Sequence, residues 1–218
     1  MNVFLFQTVV RKEIVERFNV RNREGLEVLL RLLLNSTHFT VSKLYHNLKS
    51  LNHQIGKSTL NNYLSYIESS YFLKPLFYYA PSFKNQLQYP RKPYFIDNGF
   101  ISCLSTKFSK NYGRLFENFV FWQLYKKHRE NIFYYTNRFG QEVDFIIFED
   151  NRPNKLVQVS WDLDDFETRK REERALLGLG KKLGCEQLSI VTKEKTTSDN
   201  PEIKILGLEE FLEVSKLV

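Results

Sequence analysis

Residues 142–160 read EVDFIIFEDNRPNKLVQVS, and the two apolar runs in this stretch decide the fold around it. In the first run Glu142 and Asp144 stand two apart, alternating with Val143 and Phe145, which is the period of a β-strand whose faces differ in polarity. The second run, 156–159, is a shorter strand that puts Gln158 and Ser160 on one face. Upstream, 132–136 has strand character and reaches the first run through the turn-forming residues 137–140. Ahead of it, 113–129 reads as a helix. Downstream, 168–183 has a highly charged helical composition, 188–192 and 203–206 are further strands, and 208–216 closes as a helix. That order predicts an α/β domain with a mixed sheet over residues 111–218.

Residues 1–110 follow a different plan. Ile14, Val15 and Phe18 fall at helical spacing within 11–19, and Leu26, Leu29, Leu30 and Leu33 repeat it within 23–34. A third helix runs through Leu44, Leu48 and Leu51, with Thr40 or Ser42 available to cap it. After a turn at 52–57 that contains Gly56, Ser58 and Thr59 start a helix over 60–70 with Leu60, Tyr63, Leu64 and Ile67 on one face. Aromatic-rich 71–79 and then 93–96 have strand character, and 80–91, with Pro81, Asn85 and Pro90, is a turn or loop. Helix, short turn, helix and two strands is the order of a helix-turn-helix with a β wing behind it. Asp97-Asn98-Gly99 is a turn signal and 103–111 is polar and basic, which sets the domain boundary near residue 110.

Two small domains suit a chain of 218 residues, and 42% hydrophobic content with 19 Phe and 12 Tyr supplies their cores. The two cysteines, Cys103 and Cys185, have no CxxC or Cys/His spacing and read as isolated buried thiols; the four histidines form no HxxxH or HExxH pattern. The apolar start is followed at once by charges from Arg11 to Arg17, no cleavage site follows it, and no run reaches the roughly 18 apolar residues of a membrane helix. A cytoplasmic protein without a membrane partner is expected. Residues 1–110 carry 15 Lys and Arg against 6 Asp and Glu, and the remainder 17 against 19, so the positive field belongs to the first half. Such a half suits a partner rich in phosphate, or a solvated surface with no partner. Neither GxxxxGK[ST] nor GxGxxG occurs, which excludes ATP hydrolysis by a phosphate-cradling loop in this chain.

Glu117, Glu142, Asp144 and Gln158 carry the candidate chemistry of the second half. Glu117 lies three, four and seven residues before Val120, Phe121 and Leu124, on an apolar helix face where a carboxylate needs a partner, whether a salt bridge or a catalytic one. Glu142 and Asp144, on one strand face, suit a hard divalent cation such as Mg²⁺ that polarises a phosphodiester, and they suit a polar sheet face equally well. In the first half, Lys57, Ser58, Thr59, Asn61 and Asn62 cluster at the N-terminal end of the second helix of the pair, where recognition helices meet bases and phosphates. Lys43 and Lys49 on the preceding helix, and Lys84, Arg91 and Lys92 around the wing, are placed to touch backbone phosphate. The alternative is that Ser58 and Thr59 only cap the helix and the whole segment docks another protein.

With LFEN at 115–118, EVDF at 142–145, VQVS at 157–160 and TRKREERAL at 168–176, the second half resembles a C-terminal domain of unknown function from a widespread prokaryotic AAA-type ATPase family. That domain is regarded as related to PD-(D/E)XK nucleases. Residues 40–98, with KSTLNNYLSYIESSYFL and PYFIDNGF, resemble the winged-helix-like segment that lies between ATPase and nuclease-like domain in the same family. The resemblance covers essentially the whole chain and starts where the ATPase part of such proteins ends. It implies a winged-helix-like domain followed by a restriction-endonuclease-like α/β domain. It also implies Glu117 and Asp144 as metal-site acids and an (E/D)xK pair on the next strand.

Here the sequence departs: Gln158 and Ser160 stand where Glu and Lys belong. Gln retains a carbonyl oxygen for a cation, but Ser has no ammonium to stabilise developing charge. Lys155 falls on the opposite strand face, which leaves Lys170 or Arg171 as a relocated cation. The expected function is a DNA-binding or regulatory C-terminal module with a degenerate nuclease site. Its expected partners are DNA, through residues 40–98, and an ATPase or other protein. A metal-dependent nuclease with a migrated cation and a protein-docking adaptor are the alternatives.

Overall fold

The computed structural model describes residues 3–104, 112–198 and 200–216, and the chain divides into two compact units. The first unit comprises Met1–Leu76 and Leu87–Lys110, and the second Phe77–Gln86 and Asn111–Val218. The boundary expected near residue 110 falls on 105–111, which lie outside the described residues.

Helix α1 (Val3–Val9) runs into a π-helical segment, Val10–Glu16, that buries Val10, Ile14 and Val15. Helix α2 (Arg23–Leu34) matches its expected bounds; it starts at Asn22, whose side chain accepts from the Gly25 N–H, and buries Leu26, Leu29, Leu30, Leu33 and Leu34 along one stripe. Residue Phe39 then makes an isolated antiparallel bridge to Arg91. Helix α3 (Val41–Ser50) is capped by Thr40, which accepts from the Lys43 N–H at 3.1 Å, so Thr40 rather than Ser42 is the cap. Helix α4 (Lys57–Ser69) buries Leu60, Tyr63 and Ile67. Its N-cap is Gly56 with no side-chain cap bond, which removes the capping role considered for Ser58 and Thr59.

Behind α4, β1 (Leu73–Leu76) pairs antiparallel with β2 (Lys92–Phe95). The span between them, expected as a loop, contains helix α5 (Phe83–Gln88), none of whose side chains is buried. The Asp97-Asn98-Gly99 turn signal is the start of helix α6 (Asn98–Leu104): the Asp97 carboxylate accepts from the Gly99 N–H at 2.6 Å. An aromatic cluster closes this core, with Phe72 stacked on Phe100 at 4.6 Å and Phe6 edge-on to both.

The second unit opens with helix α7 (Tyr112–His128) and continues through strands β3 (Ile132–Thr136), β4 (Glu142–Glu149) and β5 (Arg152–Val159). Helix α8 (Phe166–Leu183), strands β6 (Gln187–Thr192) and β7 (Ile203–Gly207) and helix α9 (Leu208–Lys216) follow. The sheet runs β3-β4-β5-β6-β7, antiparallel from β3 to β5 and parallel from β5 to β7, the mixed α/β arrangement expected. Residues 77–79, expected in the wing, instead lie parallel to β3: the Tyr79 N–H donates to the Tyr134 carbonyl at 2.7 Å, and the Tyr134 N–H to that of Phe77 at 3.0 Å. An exposed strand edge seeks a partner, and this segment covers that of β3.

Ala175, Leu176 and Leu179 of α8 share a hydrophobic cluster with Val143, Ile146, Leu156, Leu188 and Ile190. Alternation then turns Phe145 and Val157 to the face covered by α7, where the rings of Phe121 and Phe145 lie 6.1 Å apart. Helix α8 ends on Gly184 in the left-handed region (φ 66°), from which the next N–H, of Cys185, returns to the Gly180 carbonyl. Cys185 is a buried free thiol as expected, and burial raises its pKa. The Cys103 side chain lies outside the described ones.

Candidate functional site

The polar residues of the sheet converge between β4, β5 and α8. Two residues on β4 (Val143 to Ile146) stand against one fewer on β3 (Tyr135 to Phe133), so a bulge interrupts the alternation of β4. The two acids expected on one strand face, Glu142 and Asp144, lie on either side of the start of this irregularity, and each bonds to a neighbouring strand. Glu142 accepts from the Thr136 hydroxyl on β3 at 2.9 Å, whereas Asp144 accepts from the Val159 N–H on β5 at 3.0 Å.

Gln158 is the hub. Its carbonyl oxygen accepts from the Asp144 backbone N–H at 3.1 Å, and its amide donates to the Glu172 carboxylate at 2.5 Å. Arg171 grips the other Glu172 oxygen with two N–H groups, at 2.6 and 3.1 Å. Asp144, Gln158 and Glu172 are all buried, at 6%, 5% and 7% exposure, so their mutual bonding meets the requirement that buried polar groups be paired. The Gln158 oxygen expected to be available to a cation thus already accepts from the backbone.

Glu172 escaped that reasoning, although a signal existed. It precedes Ala175, Leu176 and Leu179 by three, four and seven residues, which places an acid on the buried stripe of α8. Arg171, one of the two proposed relocated cations, is beside the acids: its bonds to Glu172, and more weakly the charge of Asp144, hold its pKa above the ordinary value. Lys170 lies over the exposed Phe166 ring at 4.1 Å. Ser160 donates to the Asp162 carbonyl.

Glu117 is half-buried on α7, and the fully buried polar residue of that helix is its neighbour Asn118. Tyr112 stacks on Trp161 at 5.0 Å and Phe116 meets the same indole edge-on at 5.7 Å, so the first turns of α7 pack where β5 ends. Among the described residues no group of three or more His, Cys, Asp or Glu side chains is placed to hold a metal ion. Among them, too, no helix is long and apolar enough to cross a membrane.

In the first unit, Lys57, Ser58, Thr59, Asn61 and Asn62 of α4 are exposed opposite its buried stripe, as are Lys43 and Lys49 of α3. The Lys57 ammonium stands 5.4 Å from the Tyr45 ring centre, where a cation is attracted to the π face. Tyr45, Lys49, His53 and Gly56 line a groove of about 660 Å³ at the turn between the two helices. Lys84, in the segment Phe77–Gln86 of the second unit, is exposed as well but is not counted with the α4 surface. Lys92 is not part of this surface: it is 5% exposed, paired in register with Leu76 and directed toward the Tyr94 ring. Arg91 is half-buried, and burial lowers its pKa. The phosphate contact expected of Lys92 is corrected accordingly.

Residues 5–111 match a domain of unknown function, DUF8612, and residues 112–211 a second, DUF4143. An uncharacterized protein of Methanocaldococcus jannaschii is 34% identical over 205 residues, which covers 88% of this chain. The chain spans 44% of that relative's length. No solved structure gives a significant match.

Proposed function

From a chain whose two halves match two domains of unknown function and which spans 44% of its Methanocaldococcus relative, we propose a noncatalytic DNA-binding module of a larger AAA-type ATPase. The observation that carries the reading is the exposed row Lys57, Ser58, Thr59, Asn61 and Asn62 on α4, flanked by Lys43 and Lys49. Its setting supports a winged helix: α2, the Phe39 bridge, α3, α4, and β1 paired with β2. The order α7, β3-β4-β5, α8, β6, with β5 and β6 parallel, supports a restriction-endonuclease-like second domain. The second family is common in AAA-ATPase-associated proteins, which supports an ATPase partner.

The closed network at Gln158 favours a structural role for the former catalytic centre. Arg171 and Gln158 each bond one Glu172 oxygen and the Val159 N–H bonds one Asp144 oxygen, so a divalent cation here would compete with these partners for the same carboxylates.

Duplex binding, followed by fluorescence anisotropy at several salt concentrations, is expected to weaken steeply with salt, because neutralised phosphates release counterions. Lys57→Glu combined with Lys43→Glu is expected to reduce affinity at least tenfold; unchanged affinity removes this face from the reading. Absence of binding at low salt would leave the surface to a protein partner.

A second reading, a nuclease with a migrated cation, has one observation in its favour: Arg171 lies beside Glu172 with the Asp144 charge near enough to stabilise it. In that reading Asp144 and Glu172 would hold Mg²⁺, which would supply an activated water. Cleavage of DNA in Mg²⁺ or Mn²⁺ that is lost in Asp144→Ala would establish it, and cleavage that survives the substitution would mark a contaminant.

A further inference from the structure

Lys155 stands on β5 three residues before Gln158, on the opposite face of the strand, and it enters a different environment. A cavity of about 40 Å³ lies between α7, α9 and the sheet, lined by Lys127 and His128 from α7, Lys155 from β5, and the apolar walls of Leu124, Ile147 and Phe211. A water molecule needs about 10–15 Å³ of such space, so the cavity has room for a group the size of a tetrahedral oxyanion.

Its charges are unbalanced. Among the described residues neither Lys127 nor Lys155 makes an ion pair or a side-chain hydrogen bond. Glu149, the acid whose charge reaches Lys155, faces His128 at 3.9 Å and is itself half in solvent. Lys204, whose charge also reaches Lys155, is held by Glu210 at 3.1 Å. Burial first, then the charges of Lys127 and Lys204, lower the Lys155 pKa against the weaker pull of Glu149, and burial is the main cause of the same shift in His128. A partly desolvated cation facing another cation is relieved by an anion that accepts from both.

We propose that this cavity is a binding site for a phosphate-class oxyanion held between Lys155 and Lys127. It is independent of the α4 surface and of the Gln158 network, and it needs neither to be functional. Either the free ion or a terminal phosphomonoester presents the same chemistry.

The test is the thermal midpoint of the full chain in sodium phosphate against sodium chloride at matched ionic strength, with ³¹P line broadening as an independent readout. Phosphate is expected to raise the midpoint and broaden the line. Lys155→Met is expected to lower phosphate affinity at least tenfold without lowering the midpoint in chloride, because it replaces a desolvated charge by an apolar side chain of similar length. Lys127→Ala, at an exposed position, is expected to weaken binding with the fold intact. No response to phosphate, or an equal response in the parent and in Lys127→Ala, overturns the proposal whatever Lys155→Met does to folding. Glycerol 3-phosphate separates the sources: binding that shares the Lys127 dependence supports the site with a phosphomonoester as occupant, and binding of inorganic phosphate alone supports it with the free ion.

Discussion

Gln158 shows what an amide does where the family resemblance implies a carboxylate. An amide can accept from the Asp144 N–H and donate to Glu172 at once, which a carboxylate cannot do. Gln158→Glu would set two buried carboxylates against each other, and one would retain its proton. The variant is expected to be less stable than the parent at pH 7 by about 2–4 kcal/mol, the cost of holding a proton on a carboxyl at a pH about 2–3 units above its ordinary pKa. Much of that loss should return near pH 5; a pH-independent loss in urea denaturation would count against the shared-proton account. His128 gives a second dependence. Burial and Lys127 depress its pKa, and Glu149 opposes them without prevailing. The folded protein therefore stays neutral there while the unfolded chain takes up a proton, so stability falls as pH drops through the ordinary histidine value toward the depressed one. Urea midpoints between pH 8 and pH 5 should show a shallower decline in His128→Asn than in the parent; parallel profiles would remove His128 as the cause.

At the scale of elements, amphipathic spacing carried most of the helices. The leucine stripe of α2 and the Leu60, Tyr63, Ile67 row of α4 are local patterns, and each helix buries the face its pattern implies. Helix starts were less legible, because Thr40, Ser42, Ser58 and Thr59 are all competent caps and only backbone geometry selects among them. At α3 the selected residue is Thr40, extended at φ −125° and ψ 154°. Thr40→Ala is expected to cost about 1 kcal/mol, and Ser42→Ala a few tenths or less. Equal losses in chemical denaturation would show that the Thr40 cap bond is not what holds the start of α3.

At the scale of the molecule, the chain leaves its first unit after Leu76, contributes 77–86 to the second, and returns at Leu87. A fragment of residues 111–218 alone would expose the β3 edge that 77–79 covers. It is expected to self-associate, and a peptide of residues 77–86 added in trans should reduce this; a monomeric, equally stable fragment in sedimentation would show the segment to be dispensable. The sequence by itself determined the longer helices, the strands of the second half, its mixed α/β character and the exposed polar row of α4, because each follows from periodicity over neighbouring residues; the short helices α5 and α6 carry no such periodicity. Only the tertiary structure decided that Lys92 is buried, that Glu172 meets Gln158, that Asp144 accepts from the Val159 N–H, and that residues 77–79 join the second sheet. Those outcomes depend on strand register and on residues distant along the chain, where a single bulge or bridge redirects a side chain that alternation alone would place elsewhere.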